Sequence, residues 1–187
     1  MVVKNEKADF QLSDDAKDVR NLILGIVCGI VATGPMTVLM IMLHRRLPAE
    51  ERYALPPREI TMKLARESGI AGHLSAGERD AATLVAHFGY GGAAGALYSA
   101  MAVEKKPANG LLFGMFLWLI SYLGLLPGAG ILRSAIHHPL RRNLLMIAAH
   151  LVWGGTLGWL MEALLGDQRR RSAPALGTSE LTHRDAT

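Results

Sequence analysis

Four stretches of this chain carry no Asp, Glu, Lys or Arg: residues 21–43, 81–103, 107–132 and 143–161. A helix of roughly 20 apolar residues crosses about 30 Å of hydrocarbon, and each run is close to or above that length. The expectation is an all-α integral membrane four-helix bundle, with spans at about 22–43, 81–103, 109–126 and 143–165. Residues 1–20 read as a polar N-terminal leader, mobile or lying on the surface. Residues 21–166 form the membrane domain, and 167–187 read as a disordered basic tail. Mean hydropathy is only +0.23 because the ends and the first loop are polar.

The net charge of +4 raises the question of nucleic acid, and the placement of the charges answers it. Arg45-Arg46, Lys105-Lys106, Arg141-Arg142 and Arg169-Arg170-Arg171 stand beside span ends. There basic residues anchor helices and meet anionic lipid. The lipid bilayer is therefore the expected partner, self-association into a homo-oligomer is compatible with the spans, and no nucleic acid is expected. Cys28, the sole cysteine, lies within the first span, which rules out an internal disulfide and reads as a small buried apolar residue. The leader lacks a cleavable signal pattern, so the first span is expected to remain as an anchor.

Loop one carries its own punctuation. Pro56-Pro57 opens and Gly69 closes the segment Arg58–Ser68, the asymmetry of a short helix. It reads as an interfacial helix with Ile60 and Leu64 turned to the membrane or the bundle. Ser75-Ala76-Gly77-Glu78 has the capping-box pattern and predicts a helix starting at about Ala76.

Two segments repeat one another. Residues 86–97 and 149–160 both read A-H-x-x-aromatic-G-G-x-x-G-x-L. His87, Gly91 and Gly95 stand at i, i+4 and i+8, as do His150, Gly154 and Gly158, so each set shares a helix face. Tyr90 and Trp153 flank the stripes. Gly25-x-x-x-Gly29 and Gly110-x-x-x-Gly114 extend the similarity, so the chain reads as two related helical hairpins, the second helices running parallel. Small residues at four-residue spacing let helices approach closely in lipid. The two stripes are expected to face each other in a seam between the second and fourth spans, bringing the imidazoles together at one depth.

Four roles stay open for these histidines. A buried neutral imidazole can bond a neighbouring helix for about 1 kcal/mol. A proton- or ion-handling site is the second reading, since ionisable groups within membranes are functional by default. Bis-histidine binding of haem b is the third, and a divalent metal the fourth. Ser121 and Tyr122 are at a depth to bond them. His44, His137 and His138 are weak metal candidates on the same side of the membrane, where histidine's titration near neutrality also allows pH sensing. No nucleophile elbow, P-loop, zincin motif or pair of catalytic carboxylates is present, so the chain reads as non-enzymatic.

Leu55-Pro56-Pro57-Arg58-Glu59-Ile60-Thr61, His87-Phe88-Gly89-Tyr90-Gly91, Gly95-Ala96-Leu97-Tyr98 and His150-Leu151-Val152-Trp153-Gly154 together resemble segments of the YagU-like and YqhR-like small bacterial inner-membrane proteins. The resemblance covers about residues 22–165. It implies a multi-pass protein of the bacterial inner membrane and supplies no catalytic residues. Lys and Arg divide ten to ten across the membrane. The short Lys105-Lys106 turn and the Arg169–Arg171 cluster favour both termini in the cytoplasm.

Overall fold

The computed structural model describes the backbone of residues 2–102 and 104–172, and side chains over 16–102 and 104–166. Six α-helices follow in order: α1 (Val2–His44), α2 (Pro56–Glu67), α3 (Ala76–Met101), α4 (Pro107–Leu119), the single turn α5 (Leu126–Gly128) and α6 (Leu140–Ser172). A π-helical segment, Ile120–Leu125, joins α4 to α5. No β-strand occurs among the described residues.

Local chemistry accounts for most boundaries. Pro56 and Pro57 open α2, where no donor is required. At its end Ile70 N–H bonds the Ala65 carbonyl and Gly69 N–H that of Arg66, with Gly69 at φ +76°. This is the left-handed stop that glycine adopts without a Cβ penalty. At the start of α3, Ser75 Oγ accepts from the Glu78 amide and Glu78 returns a bond to the Ser75 amide. The Ser75 hydroxyl donates to the same carboxylate, and this bond, with that of the Ser75 amide, holds the Glu78 carboxyl below its ordinary value.

Three features differ from the sequence expectation. The leader is not separate from the first span: α1 is helical from Val2. No glycine or proline interrupts the chain before Gly25, so nothing stops the helix from running on into polar sequence. The fourth helix likewise continues through Gly166 to Ser172, making the start of the expected disordered tail helical; residues 173–187 lie outside the described residues. The third difference concerns apolarity. Among the described residues three helical segments are long and apolar enough to cross a membrane: Ala16–His44, Pro107–Gly128 and Leu140–Gly166. The charge-free part of α3 falls short of them, because His87, Tyr90 and its glycines lower the hydropathy of residues 81–101.

The long helices pack as an ordered array. α1 lies against α3 and α6, and α6 against α4. α3 and α4 meet chiefly through side chains. Tyr90 Oη and Ser121 Oγ stand 3.3 Å apart, Tyr98 donates to the Lys106 carbonyl, and the Tyr98 ring lies 5.3 Å from that of Phe113. By backbone contact the order across the molecule is thus α3, α1, α6, α4, and these side chains bridge the outer two. Cys28, Ala32, Met36, Leu157 and Met161 are among the buried residues at the α1–α6 contact.

Candidate functional site

The glycine stripes are occupied within two helix pairs, α1 with α3 and α4 with α6. A Cβ on Gly29 would collide with the Gly91 carbonyl, and one on Gly95 with that of Gly25. In the second hairpin a Cβ on Gly110 or Gly154 would strike the carbonyl of the other. Both contacts run antiparallel, α1 against α3 and α4 against α6. The expected seam between the two histidine helices is therefore corrected: each stripe faces its hairpin partner. The reason is surface complementarity: Gly25/Gly29 and Gly110/Gly114 supply flat faces that admit the backbone of the opposing helix.

The two helix pairs also differ in register by one turn. Gly29 meets the carbonyl of Gly91, whereas its sequence counterpart Gly114 meets that of His150. His150 is consequently buried, at 6% exposure, and His87 only partly so.

With the stripes turned aside, the two imidazoles still reach a common space. His87 and His150 both line a chamber of about 350 Å³. It lies between the long helices, with α2 contributing Pro56, Pro57, Ile60, Thr61 and Leu64 as a cover. The interfacial helix that the sequence announces thus has its apolar face on this space. Thr33 and Met36 come from α1, Ala86, Tyr90, Gly91 and Ala94 from α3, and Met146 and Trp153 from α6. Gly95, Gly154 and Gly158 do not line it; they serve the helix contacts.

The π-helical segment is the element that the sequence did not disclose. Leu126 N–H bonds the Ser121 carbonyl, five residues back. Such widened turns recur at functional sites, and here Ser121, Tyr122 and Leu125 of the segment face the chamber. The Tyr122 ring stands edge-on to His150, with centroids 5.9 Å apart.

Hydrogen bonding fixes what the imidazoles offer. His150 Nδ1 lies 2.7 Å from the Met146 carbonyl, which can only accept, so Nδ1 carries the proton and donates. In the neutral ring Nε2 is then a bare acceptor, the arrangement usual for a ligating or proton-accepting histidine. His87 Nε2 is buried with no hydrogen-bond partner among the described residues. Thr33, by contrast, donates to the Gly29 carbonyl and is satisfied.

The loop histidines do not converge. His44 Nε2 donates to the Tyr53 carbonyl, His138 Nδ1 shares a 2.7 Å bond with the Tyr53 hydroxyl, and His137 is exposed. No group of three or more His, Cys, Asp or Glu side chains placed for a metal ion occurs among the described residues. Their setting is instead an anchor around Arg142, which is 5% exposed. Its guanidinium donates to the carbonyls of Glu51, Tyr53 and Ala54 and lies 3.5 Å from the Tyr53 ring centre. This ties loop one to the start of α6 and so holds the approach to α2.

No protein-family model matches the chain, and no curated protein or solved structure is detectably similar to it.

Proposed function

We propose that this chain is a multi-pass protein of the bacterial inner membrane, akin to the YagU-like and YqhR-like proteins. In this reading α1, α3, α4 and α6 all cross the bilayer as two hairpins. The protein acts by binding a small molecule in the chamber beneath α2, and not as an enzyme. The observation that carries the proposal is the meeting of His87 and His150 on one chamber of about 350 Å³. That volume lies within the usual range for ligand sites, which are mostly apolar with a few convergent polar groups.

The membrane part of the reading rests on the outer surface. Val38, Leu112, Leu140 and Trp159 stand more than half exposed, an apolar exterior that water would penalise and lipid accepts. α3 shares this exterior through Leu84, Val85 and Met101. His87 and Tyr90 line the chamber and Ser99 donates to the Asn21 carbonyl of α1, which reconciles the modest hydropathy of α3 with a crossing. No carboxylate lines the chamber, so a neutral molecule suits it better than a cation.

Native mass spectrometry from lipid nanodiscs tests the proposal. Wild-type protein is expected to carry a releasable small molecule, and Ala86→Trp, which adds bulk to the chamber lining, to lose it. A folded wild type that carries nothing and takes up no apolar probe would overturn the binding reading. A Soret band in the purified protein would replace it with the haem b reading. Full proton-coupled transport that is lost in His87→Gln/His150→Gln would replace it with the ion-handling one.

A further inference from the structure

We infer that the chamber selects an uncharged hydroxyaromatic compound, whose O–H is donated to His150 Nε2 while its ring lies among aromatic side chains. The inference rests on the binding reading above and names the ligand class.

Three features of the chamber carry it. The first is charge. None of its lining residues is Asp, Glu, Lys or Arg, so a charged ligand would be desolvated with nothing to pair against, at a cost that binding does not recover.

The second feature is hydrogen-bond polarity. His150 Nδ1 is committed to the Met146 carbonyl. No protein bond to Nε2 is present among the described residues. A neutral imidazole held this way asks for a donor, not for a carbonyl or an ether. His87, which lines the same chamber, has its Nε2 buried without a hydrogen-bond partner among the described residues. Leaving such groups unpaired is costly, so a ligand that pairs them gains selectivity over one that cannot.

The third feature is shape. Trp153, Tyr122 and Tyr90 join the two imidazoles around the space, and aromatic groups pack on one another edge-on or offset. Met36, Ile60, Leu117, Leu125, Leu126 and Met146 complete an apolar wall. A flat aromatic body with one hydroxyl satisfies all three requirements. A saturated acyl chain meets the charge requirement and the apolar wall, but it has no donor for His150 Nε2 and no ring for the aromatic side chains.

Three naphthalene derivatives separate the alternatives by equilibrium dialysis against protein in nanodiscs, with empty nanodiscs as the reference. 2-Naphthol is the neutral donor, 2-methoxynaphthalene lacks the donor, and 2-naphthoate is charged. Saturable retention of 2-naphthol is expected, at least about tenfold tighter than 2-methoxynaphthalene (about 1.4 kcal/mol), with 2-naphthoate no better than empty discs. His150→Phe should abolish the preference for naphthol, and His150→Gln, whose amide oxygen accepts, should keep part of it. Equal retention of naphthol and its methyl ether, tighter binding of naphthoate, or an unchanged preference in a folded His150→Phe overturns the inference and leaves the chamber a binding site. No saturable retention of any probe overturns the inference and the binding reading together.

Discussion

The indole N–H of Trp153 donates to the backbone carbonyl of Gly29, 3.2 Å away, and joins the two hairpins across the α1–α6 contact. The same carbonyl accepts from Thr33 Oγ1 at 2.8 Å, so it has a polar partner even without the indole. Trp153→Phe therefore removes one buried hydrogen bond, worth about 1 kcal/mol, and leaves a small void costing about 1–2 kcal/mol more. Unfolding in mixed detergent should show a loss of about 2–3 kcal/mol. Trp159→Phe is the control. Trp159 is 59% exposed, and its loss should stay within about 0.5 kcal/mol. Equal effects at the two positions would mean that Trp153 does not couple the hairpins.

The glycines divide into two groups that a single substitution separates. Gly29, Gly95, Gly110 and Gly154 each face backbone of the opposing helix. Alanine there must push two helices apart, and the cost of such overpacking is about 1–3 kcal/mol per site. Gly89 belongs to the same repeat, yet nothing lies within 4 Å of where its Cβ would be. Gly89→Ala should be neutral or stabilise by about 0.5–1 kcal/mol through helix propensity. Thermal melts of the five alanine variants check the split; a destabilised Gly89→Ala beside an unperturbed Gly29→Ala would reverse the packing described.

The features legible in the sequence are those decided by neighbours along the chain. Pro56-Pro57 and Gly69 delimit α2, Ser75 and Glu78 cap α3, and the i, i+4, i+8 spacing places the glycines of each stripe on one face. The partner of each stripe was not legible, because spacing gives a face and not a direction. His87 and His150 reach one chamber although the glycines beside them turn to different helices. Nor could the one-turn slip between hairpins be read, since Gly114 opposite His150 and Gly114 opposite Gly154 present the same pattern. The π-helical segment left no mark, as Ile120–Leu125 has the composition of ordinary apolar helix. α1 shows the opposite failure: charges near the N-terminus suggest mobility, while the absence of glycine and proline lets the helix continue.

Arg142 offers a test of the anchor over the chamber. Its fork reaches three loop-one carbonyls at 2.7, 3.1 and 2.9 Å. Lysine keeps the charge but cannot reproduce planar, divergent donation. Arg142→Lys should cost about 2 kcal/mol and Arg142→Ala about 3 or more, since bonds from a charged donor are worth about 1.5–3 kcal/mol each and are not additive. Tyr53→Phe removes only the hydroxyl that bonds His138 and should cost about 1 kcal/mol. In all three variants protease cleavage in residues 45–56 should accelerate in proportion to the loss. Faster cleavage in Tyr53→Phe than in Arg142→Ala would place the anchor on His138 instead.

Whether α3 crosses the bilayer decides the topology, and a pair of fusions distinguishes the outcomes. With four crossings the two ends of the chain lie on one side; with the three segments whose length and apolarity suffice, they lie on opposite sides. The antiparallel contact of Gly25 with Gly95 and Gly29 with Gly91 runs along the apolar part of α1. A helix packed backbone to backbone there shares its depth, and in the bilayer α3 has no water to satisfy a broken backbone. Reporters active only in the cytoplasm, fused before Met1 and after Thr187, are expected to be active at both ends. The same reporter inserted at Gly72 should be silent, since loop one then lies outside. Activity at one end alone would remove α3 from the membrane, and with it the placing of His87 at the depth of His150.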